Sequence, residues 1–201
     1  MQFFITAIGT DSGKSLVSAI FVEALKADYW KPIQAGFPRD TDTVQALVSN
    51  KQSAFYSEAY LLSMPASPHA AASQDGERID LSIVVPPKTS KDLIVEGAGG
   101  VLVPVNDHDF VIDMPQQWKM PVVLVSNHYL GSINHTLLTV NELKRRNIEV
   151  VGIVFNGEEN KESESIILKH SGYKTLLKIP QLEKVDKETV KKYAEELRKN
   201  L

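Results

Sequence analysis

The chain has 201 residues, 43% of them hydrophobic and 23% charged, with a formal net charge of −3 and no cysteine. That length suits one domain with a sizeable core, and the lack of Cys excludes disulfides, thiolate metal sites and a Cys nucleophile. The mild negative charge speaks against nucleic acid or an anionic membrane as a partner, and no apolar run nears the roughly 18 residues of a spanning helix.

Phe3 to Ile8 reads as a buried strand, ending in the turn Gly9-Thr10-Asp11-Ser12-Gly13-Lys14-Ser15. Met1 leads straight into this strand, which predicts no leader peptide and a cytoplasmic location. Lys14 and Ser15 open a helical pattern to about Ala27, with Leu16, Ala19, Ile20 and Val22 to Ala24 as its apolar positions. Strand, Gly-containing loop and helix together form the setting of a phosphate loop. Successive amides and a helix N-terminus face an anion, a Lys adds charge, and a Ser hydroxyl can ligate magnesium. The spacing departs from the standard pattern, because Ile8 stands where its first Gly belongs and Gly9 follows one place late.

Tyr29 to Gln34 reads as a second short strand, closed by Ala35-Gly36-Phe37-Pro38. Asp40 to Thr43 looks like a helix start with Val44, Leu47 and Val48 behind it. Ser67-Pro68 predicts another, with Ser as N-cap and Pro in the first turn. Ile79 to Val85 is a short helix candidate stopped by Pro86-Pro87. Leu93-Ile94-Val95 is a buried strand that runs into Glu96-Gly97-Ala98-Gly99-Gly100. Pro121 to Val125 is another strand, Leu130 to Arg146 a helix, Val150 to Phe155 a strand ending at Asn156-Gly157, and Leu176 to Ile179 a last strand before Pro180. The tail from Asp186 to Leu201 spaces Val190, Tyr193, Ala194 and Leu197 as one face of an amphipathic helix.

Apolar strands alternating with helices predict an α/β fold over residues 1–201: a mainly parallel sheet covered by helices on both faces, of phosphate-loop NTPase type. Ligands of such sheets sit beyond the carboxyl ends of the strands, and the polar residues fall there. Lys14 and Lys31 supply two positive charges, and Ser15, Asp42 and Glu96 supply oxygens of the kind magnesium accepts. Asp40 and Asp42 can also be helix caps. Asn156 can offer hydrogen bonds to a base; the guanine-reading Asn-Lys-x-Asp pattern is absent, since Gly157-Glu158-Glu159 follow. His69 and His135 have no spaced second ligand for zinc, and no G-x-S-x-G nucleophile motif occurs.

The phosphate-loop run Gly9 to Ser15, Lys31-Pro32-Ile33-Gln34-Ala35-Gly36, Ser67-Pro68-His69, Val95 to Gly100 and Leu130-Gly131-Ser132-Ile133-Asn134-His135 occur in an order that resembles the dethiobiotin synthetase family, and the resemblance runs nearly the whole chain. It implies a homodimeric, magnesium-dependent enzyme of biotin biosynthesis that takes 7,8-diaminononanoate, carbon dioxide (or bicarbonate) and ATP as co-substrate to dethiobiotin, ADP and phosphate. By match to its motifs, Lys14 and Lys31 are the catalytic cations, and Ser15, Asp42 and Glu96 hold Mg2+. The nucleotide meets Thr10, Asp11, Ser12, Gly13, Lys14, Ser15, Leu16, Glu96, Gly97, Ala98, Gly99, Asn156 and Pro180. The diamine meets Gln34 and Ala35, and at the subunit interface Gly131, Ser132 and Asn134 of the other copy. The family's frequent loop, G-T-D-T-x-V-G-K-T, is two residues longer, and a Ser or Thr often stands at the position of Ala35. Another synthetase of the phosphate-loop class, such as a cobyrinate amidase type, would carry a glutaminase domain for which this chain has no room. A partitioning-type ATPase switch would carry an extra Lys where Gly9 stands.

Overall fold

The computed structural model describes residues 1–201. In chain order it builds β1 (Gln2–Ala7), α1 (Lys14–Leu25), β2 (Asp28–Trp30), β3 (Ile33–Ala35), α2 (Asp40–Leu47), β4 (Phe55–Tyr56), β5 (Tyr60–Leu62) and α3 (Pro68–Gln74). The second half adds β6 (Leu93–Gly100), α4 (Asp113–Trp118), β7 (Val122–Asn127), α5 (Ser132–Arg145), β8 (Val150–Asn156), α6 (Lys161–Ser171), β9 (Thr175–Ile179) and α7 (Lys187–Leu197). Seven strands form one sheet in the order β4-β2-β6-β1-β7-β8-β9. Every pairing in it is parallel.

Strand parity divides the interior into two cores. Phe3, Ile5, Ala7, Val123, Val125 and Val154 point to one side, where they meet α1, the end of α2 and the Val190, Tyr193, Ala194 and Leu197 stripe of α7. Phe4, Val95, Leu124, Ile153 and Phe155 point to the other, against α3, α4, α5 and α6. Because both faces are covered, the central strands read as unbroken apolar runs rather than alternating ones. Burying a Phe or Ile of this kind stabilises by about 1.5–3 kcal/mol relative to leaving it exposed.

Two local expectations are corrected. Tyr29 to Gln34 is not one strand. Pro32 has no N–H to give a ladder, and its carbonyl accepts from Ala59 N at 2.8 Å and Tyr60 N at 3.0 Å. The chain therefore leaves the main sheet after β2, and β3 pairs with β5 in a separate two-stranded sheet. Ile79 to Val85 is not a helix. An Asp side chain competes with helix by bonding nearby backbone N–H groups, and the Asp80 carboxylate takes the Ser82 N–H at 2.8 Å to form a turn. Ile79, Leu81 and Val84 reach the core from an irregular segment instead. The helix at Pro68 starts where Ser67 and Pro68 indicate, although the Ser67 side chain makes no capping bond. The helices α4 and α6 and the strands β4 and β5 lacked a distinct signal in the sequence pattern.

Candidate active site

The turn between β1 and α1 is held in a cramped shape. Asp11 (φ 56°) and Gly13 (φ 93°) are both left-handed, an arrangement that turns successive amides toward one side and creates an anion-binding concavity. Gly13 precedes α1 without a side-chain cap, so the helix's first N–H groups also face that concavity. Ser12 Oγ and Lys14 Nζ both donate to Gly9 O, at 3.2 and 3.0 Å. Lys14 is buried, and burial first, then the nearby Lys31 charge, lowers its pKa to about 8 despite the carboxylates of Glu96, Asp40 and Asp11.

Glu96 sits on β6, between β1 and β2, and is 1% exposed. Its carboxylate accepts from Ser15 Oγ at 3.0 Å, Tyr29 Oη at 3.0 Å and Lys31 Nζ at 3.2 Å. Such a carboxylate is affordable inside a protein only with this much compensation. Burial works to lower the Lys31 pKa, but Glu96 and Asp40 outweigh it and hold the ammonium above its ordinary value. Burial, followed by the Glu96 charge, keeps the Tyr29 phenol well above its usual range. Lys31 also donates to Gly97 O at 3.3 Å and pairs with Asp40.

Lys14, Ser15, Lys31, Asp40 and Glu96 line one cavity of about 630 Å³, with Thr10, Asp11, Gly13, Leu16, Gln34, Ala35, Ala98 and Gly99. Asp42 does not belong to it. Two residues apart on a helix means opposite faces, and the Asp42 carboxylate turns outward to Arg39, whose Nε donates at 2.9 Å. Its side chain is 52% exposed. Asp40 takes the inner face, and Gln34 fixes it there by accepting the Asp40 N–H at 3.0 Å while donating to Gly36 O at 2.9 Å. The inward set is therefore Ser15, Asp40 and Glu96. No three His, Cys, Asp or Glu side chains cluster as a metal site. A hydroxyl and two carboxylates, all oxygen, nevertheless fit a magnesium ion completed by phosphate oxygens and water.

A family model described as an AAA domain matches residues 1–189. The ATP-dependent dethiobiotin synthetase BioD of Cytophaga hutchinsonii is 58% identical over 198 residues, covering 98% of this chain and 96% of that one. The protein of the same name from Christiangramia forsetii is 49% identical over 202 residues, covering 100% and 97%. The chain belongs to the dethiobiotin synthetase family. It is thus an ATP-dependent enzyme family that the phosphate loop serves here. Among solved structures, a ParA family ATPase from Chlorobium tepidum has a TM-score of 0.56 at 16% identity, covering 99% of this chain and 94% of that one. The septum site-determining protein MinD from Pyrococcus horikoshii has a TM-score of 0.56 at 13% identity, covering 99% and 97%. At such identities they establish the phosphate-loop NTPase fold alone.

The remaining residues singled out in the sequence lie elsewhere. Ser12 is buried in the loop, and Gly97 contributes its carbonyl to Lys31. Asn156, at the end of β8, reaches the loop from beside the cavity, whereas Pro180 follows β9 on the surface. Gly131, Ser132 and Asn134 open α5 and line a second cavity of about 790 Å³ with His128, Tyr129 and Asn160. They do not meet Lys14 or Lys31 within one chain. Tyr29 was missed as a partner of Glu96, yet it stands two residues before Lys31, a spacing that places both on one strand face. No helix is long and apolar enough to cross a membrane.

Proposed function

We propose that this protein is a dethiobiotin synthetase, a single unit over residues 1–201 that closes the cyclic urea of dethiobiotin from 7,8-diaminononanoate, carbon dioxide and ATP. The observation that carries the reading is the convergence of Lys14, Ser15, Lys31, Asp40 and Glu96 on one cavity beyond the strand ends, in a chain similar over its length to relatives of that name.

One amine of the diamine takes up carbon dioxide and loses a proton to form a carbamate. A carbamate oxygen attacks the γ-phosphorus of ATP, the bond to the β-γ bridging oxygen breaks, and ADP leaves. The second amine then attacks the carbonyl carbon of the resulting carbamic–phosphoric anhydride, closing the ring and expelling phosphate. Phosphoryl transfer of this kind depends mostly on positioning and charge stabilisation. Lys14, on releasing Gly9 O, reaches the β- and γ-phosphates from the loop. Lys31, held by Glu96 and Asp40, lies between the carbamate and the γ-phosphate. Ser15, Asp40 and Glu96 would hold magnesium, which would supply positive charge to offset that of the phosphates. Asn156 contacts the adenine and Gln34 lies beside the diamine. Gly131, Ser132 and Asn134 of a second copy receive the substrate's carboxylate end, which explains why they face a cavity of their own and makes the working form a homodimer.

The test is a product assay. Purified protein given the diamine, bicarbonate, ATP and Mg2+ forms dethiobiotin and releases one phosphate per product. Hydrolysis of ATP at the same rate without the diamine would instead mark a nucleotide switch.

A further inference from the structure

Asn156 does something at the phosphate loop that a base contact does not require. Its Nδ2 donates to the backbone carbonyl of Ser12 at 2.9 Å. It is the one side chain from another element that bonds the loop's backbone, since the Ser12 and Lys14 side chains bond within the loop, to Gly9 O, and Glu96 meets the Ser15 hydroxyl. The contact is also close. A Cβ on Gly13 would lie 2.3 Å from Asn156 Nδ2 and 3.2 Å from its Cγ, so the amide occupies the space that any other residue at position 13 would need.

The stalk that carries this amide is rigid. Asn156 ends β8, an interior strand in register with Asn127 of β7 and Ile179 of β9. Its carbonyl accepts from His128 N at 3.0 Å, and the next residue, Gly157, donates to Ile179 O at 2.8 Å. The start of the loop is anchored too, by Ile8 N donating to Val125 O at 3.2 Å. The loop is thus tied to β7 where it leaves β1 and to β8 just before it enters α1. Between those ties lie the left-handed Asp11 and, beside the second, Gly13, whose conformations aim the amides. Ser12 is 1% exposed, and without Asn156 its carbonyl would lose its side-chain donor, a costly loss for a buried group.

We infer that Asn156 is a positioning residue for the phosphate loop, clamping Ser12 and Gly13 so that the loop amides are preorganised for a polyphosphate whatever base is attached. This rests on the phosphate-binding reading of the loop given above. It extends that reading, because an Asn amide that gives one N–H to Ser12 O keeps its second N–H and its Oδ1 for a base.

Inorganic tripolyphosphate separates the two roles, since it carries the phosphates and no base. Its affinity and that of ATP are measured by calorimetry, at fixed Mg2+, for the wild type, Asn156→Ala and the near-isosteric Asn156→Leu, each checked by thermal melting. The clamp predicts that both variants bind tripolyphosphate about five- to tenfold more weakly, as loss of one well-placed hydrogen bond implies. Any further weakening seen with ATP alone measures the base contact. Should Asn156→Ala misfold, Asn156→Leu supplies the same comparison without a hole. Unchanged tripolyphosphate affinity in a folded variant overturns the clamp, even if ATP binding falls. If the wild type itself ignores tripolyphosphate, the phosphate-loop reading fails and the clamp with it.

Discussion

Replacing Lys31 by Met tests whether the active-site charges are held as described. The side chain is 5% exposed, and it bonds Glu96 Oε1 at 3.2 Å and Gly97 O at 3.3 Å besides pairing with Asp40. Met fills a similar volume, so packing changes little. The electrostatic loss is larger. Removing one partner of a buried ion pair costs about 3–5 kcal/mol, because the other charge is left uncompensated. Glu96 keeps the Ser15 and Tyr29 hydroxyls as donors, and Asp40 is partly exposed, which argues for the lower end, about 3 kcal/mol. For a domain of this size each kcal/mol moves the melting temperature by roughly 2–4 °C. Lys31→Met should therefore melt about 6–12 °C below the wild type in the absence of ligands. Mg2+ should recover part of the difference in the variant and little in the wild type, since it meets two carboxylates that have lost their cation. The assay is thermal melting with and without Mg2+, followed by turnover, which should fall by two to three orders of magnitude. A variant melting within about 2 °C of the wild type would refute the claim that Lys31 neutralises Glu96 and Asp40.

Lys14→Ala should leave the fold intact while turnover drops a hundredfold or more, about 3 kcal/mol of lost transition-state stabilisation; near-normal rates would remove the phosphate-loop assignment. Because Lys14 titrates at about 8 without ligand, its ammonium is present below that pH and lost above it. ATP affinity should decline as pH rises through 8, with close to one proton taken up per nucleotide at pH 9. Calorimetry in two buffers of different ionisation heat reads that uptake, and its absence would contradict the lowered pKa. Asp40→Asn should raise the magnesium requirement steeply whereas Asp42→Asn leaves it near wild type, as magnesium titrations of activity will show; the opposite result would restore Asp42 as the ligand. Mixing inactive Lys14→Ala and Asn134→Ala subunits should recover up to about half the activity per mixed dimer, one of its two sites being intact. No recovery, with subunit exchange confirmed by mass, would mean that each site is built within a single chain.

Much of the architecture is legible in the residues because its signals are local. Apolar runs such as Val122 to Val125, and Phe3 to Ala7 with Thr6 as its one polar member, mark doubly covered strands, and the Val190, Tyr193, Ala194 and Leu197 spacing marks a docked helix. The loop Gly9 to Ser15, Lys31 and Glu96 are legible as site candidates because strand ends in a parallel sheet point to one edge. The misread segments are those where a nonlocal partner decides. The carbonyl of Pro32 is claimed by Ala59 and Tyr60, which breaks one expected strand into two. Ile79 to Val85 follows the needs of the core rather than a helical period. Asp40 and Asp42 are equivalent in the sequence, each an acid in the first turn of α2. Only the direction of the helix, with Gln34 holding the Asp40 amide and Arg39 drawing Asp42 outward, separates them. Periodicity along the chain carries the fold class, and short motifs carry the phosphate loop and the resemblance to the family. The tertiary structure decided which carboxylate faces the cavity, that Tyr29 supports Glu96, and that Asn156 meets Ser12. Those contacts join residues distant along the chain or turn on the rotation of a helix, and neither is written in any local pattern.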